Sequence, residues 1–219
     1  MKFLMKIVSV ILARGGSKGI PRKNIYPLKG KPMINYTIAA SINSKVNETW
    51  VCTDDEEIAN ISKMNGANVL IRPKEISTDF SKSEEALLYF SDNVDFDVLV
   101  FIQATSPLLT HDYINEGIEL ILNNNFDSVF SGYKEHWLPR WENIDDKITP
   151  HNWDVNNRPM RQEIKELFVE NGAFYITKKE SLIKNKLRYN NNVGIIEMPY
   201  SKSFQVDTID DLKLIEKLL

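Results

Sequence analysis

Apolar runs and amphipathic stretches take turns along most of the chain. Residues 7–13 are almost wholly apolar and predict a strand buried on both faces. Residues 32–44 set Met33, Ile34, Ile38 and Ile42 at helical spacing. Residues 49–53 predict a second strand, ending at Asp54-Asp55. A helix follows over 55–65, with Ile58, Ile61 and Met64 on one face, and then a short strand over 68–71. Residues 83–92 predict another helix. The run Asp97-Val-Leu-Val-Phe-Ile-Gln103 has the continuous apolar character of a strand at the centre of a parallel sheet. Residues 110–123 predict a helix, with Thr110 or Asp112 as its cap, and 127–131 a strand. Repeated strand–helix–strand units imply an α/β fold: three layers, with a mostly parallel open sheet between helices. In such sheets ligands bind at the carboxyl ends of the strands.

The alternation stops at about residue 134 and resumes near 167. This stretch holds Trp137, Trp141 and Trp153, three of the four tryptophans, with Pro139, Pro150 and Pro159. Exposed Trp is costly unless something covers it. An inserted arm over 134–167 that docks a second subunit or covers a substrate is favoured over an ordinary packed loop. Regular structure then returns: a strand over 173–177, a helix over 178–185, a strand over 193–198 and a C-terminal helix over 210–219. The asparagine clusters at 123–125 and 190–192 suit turns.

Composition sharpens this little. The 219 residues suit one large domain, and 42% hydrophobic with 26% charged residues is ordinary for a globular chain. The net charge of −3 gives no reason to expect nucleic acid. The single Cys52 forms no internal disulfide and suits a reducing, cytoplasmic compartment. It sits in a strand pattern with no His nearby, as a small core residue would. The first residues carry two lysines and no cleavage signature, so neither a signal peptide nor a membrane span is expected. His111, His136 and His151 are scattered and form no ligand pattern.

The chemistry concentrates after the first strand. Residues 12–24 read Leu-Ala-Arg-Gly-Gly-Ser-Lys-Gly-Ile-Pro-Arg-Lys-Asn, a glycine-rich loop with four cations: Arg14, Lys18, Arg22 and Lys23. Glycines allow close backbone approach, loop N–H groups suit phosphate oxygens, and the cations add charge-assisted bonds. Neither a Walker loop nor a G-x-G-x-x-G fingerprint is present.

This thirteen-residue segment closely resembles the signature loop of the acylneuraminate cytidylyltransferases, the CMP-sialic acid or CMP-nonulosonate synthetases. Further segments match in order. They are Arg72-Pro73-Lys74-Glu75 with Ser81 and Ser83, Gln103-Ala104-Thr105-Ser106-Pro107-Leu108, Arg158-Pro159-Met160-Arg161-Gln162, Glu170-Asn171-Gly172-Ala173-Phe174-Tyr175, and Val206-Asp207-Thr208. The resemblance covers essentially the whole chain. It implies one Rossmann-like, GT-A-like nucleotidyltransferase domain over 1–219, with 134–167 as a small dimerisation arm in a homodimer. It implies that Arg14, Ser17, Lys18, Asn24, Arg72, Ser81 and Ser83 bind the nucleotide. Gln103, Thr105, Ser106, Arg161 and Asn171 would bind the sugar acid. Lys23, Arg161 and Asp207 would serve catalysis, and Asp207 and Gln205 would hold Mg²⁺. The implied partners are CTP and a nonulosonic acid, with neither nucleic acid nor membrane.

Two positions depart from the family's pattern. Gln205 stands where the family usually has Asp; its carbonyl can ligate Mg²⁺ but brings no charge, so Asp210 or Asp211 could assist. Ala104 replaces the usual Pro. Taken singly, Asp207 could be a helix N-cap, Arg161 a surface ion-pair residue, and Asp54-Asp55 a cap rather than a metal site. Three alternatives stay open on sequence: legionaminic, pseudaminic or ketodeoxynonulosonic acid as the sugar, a ketodeoxyoctonate synthetase, and a non-catalytic nucleotide- or sugar-binding relative.

Overall fold

Strand β1 (Ile7–Leu12) shows why the chain forms three layers. Ile7 and Ile11 point into one apolar cluster and Val8 and Val10 into another, so both faces of the strand are covered. The computed structural model describes residues 5–190 and 192–219. Residues 1–4, where a leader would begin, and the middle of the 190–192 turn lie outside the described residues.

Two short strands, β2 (Pro27–Leu28) and β3 (Lys31–Pro32), form a hairpin that the sequence pattern does not announce. The chain continues through α1 (Ile34–Ile42), β4 (Glu48–Thr53), α2 (Glu56–Met64), β5 (Asn68–Ile71) and α3 (Ser83–Asn93). Then come β6 (Val98–Gln103), α4 (His111–Asn123) and β7 (Ser128–Lys134). After the inserted stretch follow β10 (Phe168–Lys178), α5 (Lys179–Asn185), β11 (Val193–Glu197) and α6 (Ile209–Leu218). The main sheet has seven strands in the order β11-β7-β10-β6-β1-β4-β5.

β1 runs parallel to β4 and β6, and β4 parallel to β5; β10 runs antiparallel to β6. The sheet is therefore mixed, but parallel at its centre. One face packs α1, α2 and α4 through Ile34, Ile38, Ile58, Ile114 and Ile118. The other packs α3 and α5 through Leu87, Phe90 and Leu182. Burial of each such side chain contributes about 1.5–3 kcal/mol. A third cluster joins Ile20 of the glycine loop to Leu28, Val206, Leu212 and Ile215, fixing the loop beside the start of α6.

Registers align the strand ends. Leu12 pairs with Cys52 in β4 and with Gln103 in β6, and Thr53 with Ile71 in β5. Residues 13–14, 54, 72 and 104–106 therefore emerge together at the carboxyl edge.

The chain divides into two compact units, 1–133 with 170–219, and 134–169. In the smaller unit β8 (Trp141–Ile144) and β9 (Lys147–Pro150) form a hairpin. Its turn residues Asp145 and Asp146 are both left-handed (φ 50° and 61°), as a type I′ turn requires. Arg158 lies over the rings of both Trp137 (5.5 Å) and Trp153 (5.4 Å). Trp153 meets Trp141 edge-on at 5.1 Å. Arg158 thus half-covers two of the indoles, while Trp141, Ile148 and Met160 stay exposed. No helix among the described residues is long and apolar enough to cross a membrane.

Candidate active site

The glycine loop leaves β1 and crosses the carboxyl edge of the sheet. Asp54, at the end of β4, accepts a hydrogen bond from Gly15 N (3.0 Å). Asn24, buried, donates Nδ2 to Arg14 O (2.9 Å) and closes the loop on itself. The loop's glycines serve close packing rather than unusual dihedrals. A Cβ on Gly15 would sit 2.7 Å from Asp55 Oδ2, and one on Gly19 2.9 Å from Asp207 O. The left-handed residue of the loop is Arg22 (φ 57°). Among the described residues the amides of Gly16, Ser17 and Lys18 make no hydrogen bond, leaving N–H groups for an anion.

Not every loop cation faces the cleft. Arg22 makes a bidentate pair with Asp55 (2.5 and 2.9 Å) and reaches Glu57 (2.5 Å). Asp55 in turn caps α2, accepting from Ile58 N at 2.9 Å. The hydrogen bond from Arg22 holds the Asp55 carboxyl below its usual range. Arg22 therefore pins the loop to α2, and the cap reading of Asp55 is the one the geometry gives.

Arg14, Ser17, Lys18, Lys23, Asn24, Arg72, Ser81, Ser83, Thr105 and Asp207 all line one cleft of about 430 Å³. That volume falls in the range of small-molecule sites. Lys23 is largely buried and donates Nζ to Val206 O and to Asp207 Oδ1, both at 3.0 Å. Arg72 is 7% exposed, and its Nε has no hydrogen-bond partner among the described residues. Burial lowers its pKa, partly opposed by Cys52 and Asp54. A guanidinium desolvated with a free donor is costly unless a ligand supplies an acceptor. Arg14 and Lys18 both pair with Asp79, at 2.7 and 2.9 Å. Nothing in the sequence marks Asp79; an acid in a polar stretch looks like an ordinary loop residue.

Asp207 is not the helix cap. Thr208 holds that place: its Oγ1 accepts from Asp211 N (3.3 Å), while Asp211 accepts from the amides of Asp207 and Thr208. Asp211 is committed to this box and Asp210 to Lys213 (2.9 Å). Asp207 keeps an exposed carboxylate in the cleft. Among the described residues no three His, Cys, Asp or Glu side chains gather to hold a metal by themselves. One carboxylate beside phosphate oxygens is nonetheless an ordinary setting for Mg²⁺.

The strand β6 edge forms a second cluster. Gln103 and Ser83 line a recess of about 140 Å³ that shares Asn24 and Thr105 with the larger cleft. Thr105 Oγ1 donates to Gln103 Oε1 (3.4 Å). Ser106 is buried and accepts weakly from Gln205 Nε2 (3.4 Å). The same Nε2 donates to Asn171 O (2.7 Å), so Gln205 has only its Oε1 left for a cation. Asn171 is buried and fully engaged. Its oxygen accepts from Ser131 Oγ (2.6 Å) and Ala173 N (3.0 Å), and its nitrogen donates to Met198 Sδ (3.3 Å) and Ser203 Oγ (3.0 Å). In this state it positions backbone rather than presenting a free group.

Gly172 lies between Gln205 and Gln103 with φ +67°, and a Cβ there would collide with Gln205 Nε2. Gly172→Ala adds about 1–2 kcal/mol of left-handed strain and displaces Gln205. The melting temperature should fall by roughly 2–8 °C in a circular-dichroism melt; an unchanged midpoint contradicts the clash.

Two other groups escape sequence reasoning. Arg188 lies over Phe101 (5.2 Å) and Tyr175 (4.9 Å) and bonds Glu84 at 2.7 Å in the first turn of α3. It fastens the helix start that presents Ser83. Tyr175 OH donates to Glu170. Cys52 is buried and its thiol is pushed up to about 11 by burial, which removes it as a nucleophile near neutral pH. Arg161 and His136 belong to the smaller unit, where Arg161 Nη2 and His136 Nδ1 are 2.7 Å apart.

Comparison with known proteins places the chain in a family. A family model described as cytidylyltransferase matches residues 8–219. N-acylneuraminate cytidylyltransferase A of Danio rerio is 41% identical over 96% of this chain, which spans 50% of that protein. The N-acylneuraminate cytidylyltransferase of Streptococcus agalactiae serotype V is 34% identical over 94% of this chain and 52% of its own length. The chain thus spans about half the length of these curated relatives. The pseudaminic acid cytidylyltransferase of Campylobacter jejuni serotype O:2 is 29% identical, with 95% of this chain and 94% of that one covered. The solved structure of CMP:2-keto-3-deoxy-manno-octonic acid synthetase complexed with CTP superposes with a TM-score of 0.74 at 17% identity, covering 97% of this chain and 98% of that one. It supports the fold alone. With the family model matching nearly end to end, the chain belongs to the cytidylyltransferase family.

Proposed function

We propose that the protein transfers CMP from CTP to the anomeric hydroxyl of a nonulosonic acid, releasing pyrophosphate. The observation that carries this is the cleft at the strand ends, where Arg14, Lys18, Lys23 and the orphaned Arg72 guanidinium converge. Such a set suits a ligand with several negative charges and a polar base. The names of the relatives supply the nucleotide and the sugar class.

Nucleotidyl transfer asks for an in-line nucleophile and for cations where charge grows. The free loop amides with Arg14 and Lys18 hold the β- and γ-phosphates. Lys23, braced by Val206 O and Asp207, faces the leaving pyrophosphate. Arg72, Ser81 and Ser83 fix the nucleoside, while Gln103 and Thr105 bound the recess beside it. Asn171 and Gln205 hold the backbone around Gly172 in shape for the sugar. The sequence resemblance alone carries the reading of Arg161 as a planar fork for the sugar carboxylate. Asp207, with Gln205 Oε1 as a weaker donor, would hold Mg²⁺, which neutralises phosphate charge when bound.

The exposed Trp141, Ile148 and Met160 of the smaller unit suit burial against a second copy, so we read the protein as a homodimer. A cytoplasmic setting fits the lone, buried Cys52.

The test is a pyrophosphate-release assay with CTP, Mg²⁺ and a panel of N-acetylneuraminic, legionaminic, pseudaminic and ketodeoxyoctonic acids. Release with at least one nonulosonic acid is expected. CTP retained without any release would instead make the chain a binding relative.

A further inference from the structure

We propose that Asp79 is a built-in counter-ion: it pairs with the cations of the proposed phosphate site and must be displaced before CTP can bind. The proposal rests on the functional reading above and adds a residue that limits affinity for the triphosphate.

The geometry is that of a small anion already in place. One carboxylate oxygen of Asp79 sits 2.7 Å from Arg14 Nη1, and the other sits 2.9 Å from Lys18 Nζ. Asp79 thus bridges the two loop cations as two phosphate oxygens would. It lines the same cleft, and its side chain is about as shielded as that of Arg14 (32% against 31% exposed). Lys18 and Arg14 hold its carboxyl below the usual range, so it stays ionised near neutral pH.

The segment that carries Asp79 is light. Thr78 and Ser81 close a tight turn through Thr78 N to Ser81 Oγ (3.0 Å) and a hydroxyl pair at 2.8 Å. Phe80, at its tip, is 91% exposed, and Lys18 Nζ of the glycine loop lies 5.6 Å from its ring. Such an exposed cation–π contact contributes about 0.5–1 kcal/mol. The turn is therefore held to the glycine loop chiefly by charge.

A triphosphate and a carboxylate cannot share these cations without strong repulsion. CTP binding must break both Asp79 pairs, and that cost subtracts from its affinity. A ligand without phosphates pays nothing. When pyrophosphate is ready to leave, the returning carboxylate competes for the same cations and favours release.

The test is Asp79→Asn, which keeps the shape and removes the charge in an exposed turn. Isothermal titration with CTP and with cytidine, without added metal, reads the effect. CTP should bind roughly three- to tenfold more tightly than to the parent protein, the worth of two partly exposed ion pairs. Cytidine should bind equally to both. Unchanged or weaker CTP binding overturns the proposal, and so does an equal gain for cytidine. Arg14→Ala separates two kinds of failure. If that variant loses CTP affinity while Asp79→Asn gains none, only the counter-ion role falls. If neither variant alters CTP binding, the phosphate site falls with it.

Discussion

Arg14→Ala lowers kcat/KM for CTP by roughly two to three orders of magnitude while leaving the fold intact. The guanidinium is one of two cations that converge on the anion position now held by Asp79. Its removal costs a charge-assisted contact to the triphosphate and leaves the Asp79 carboxylate in the cleft with one partner fewer. The first effect acts against CTP and outweighs the second, which leaves a single Asp79 pair to break. Fold retention follows from what the side chain does not hold: Asn24 bonds the Arg14 carbonyl, which every residue carries. Steady-state kinetics with a thermal melt check this. A near-normal kcat/KM means the triphosphate does not meet Arg14, and a collapsed melt means the residue is structural.

Lys23→Met lowers kcat by roughly 10²-fold or more, with a smaller change in KM. Methionine keeps most of the stem but removes the ammonium. In the parent protein that ammonium is largely buried and anchors Val206 O and Asp207. Its charge is worth more there than on an open surface, and in the proposed reaction it meets the phosphates whose charge grows as pyrophosphate leaves. An interaction made chiefly in the transition state lowers kcat and kcat/KM together. The rival role, a brace for residues 206–207, predicts a lower melting temperature with kcat nearly unchanged.

Much of the core was legible because its strands are covered on both faces. Val98–Gln103 and Ile7–Leu12 read as continuous apolar runs for that reason. β10 was harder. It runs over Phe168–Lys178, yet only its buried second half carries a clear apolar run; Glu170, Asn171 and the left-handed Gly172 hide the first half. Its antiparallel direction depends on a long-range partner that no local pattern records. The hairpin at residues 141–150 was invisible because its strands are exposed and its turn is Asp-Asp rather than Asn-Gly.

The cation-lined cleft was legible as chemistry, since glycines and cations cluster within one short loop. What escaped was the division of labour. Arg22 looks equivalent to Lys23, but α2 supplies Asp55 and Glu57 to the first and the start of α6 supplies Asp207 to the second. Asp207 could be told from a helix cap only once Thr208 was seen in that place. Asn171 could be told from a free hydrogen-bonding group only once Ser131 and Ser203 were seen around it. Asp79 and Arg188 act through partners distant in the chain, so no spacing rule reveals them.

A crystal structure of the protein with CTP bound examines the phosphate assignment most directly. The triphosphate should lie against the amides of residues 16–18 and beside Arg14, Lys18 and Lys23, with Asp79 withdrawn from both of its present partners. Triphosphate density elsewhere, or alongside an undisturbed Arg14–Asp79–Lys18 bridge, contradicts the proposed site.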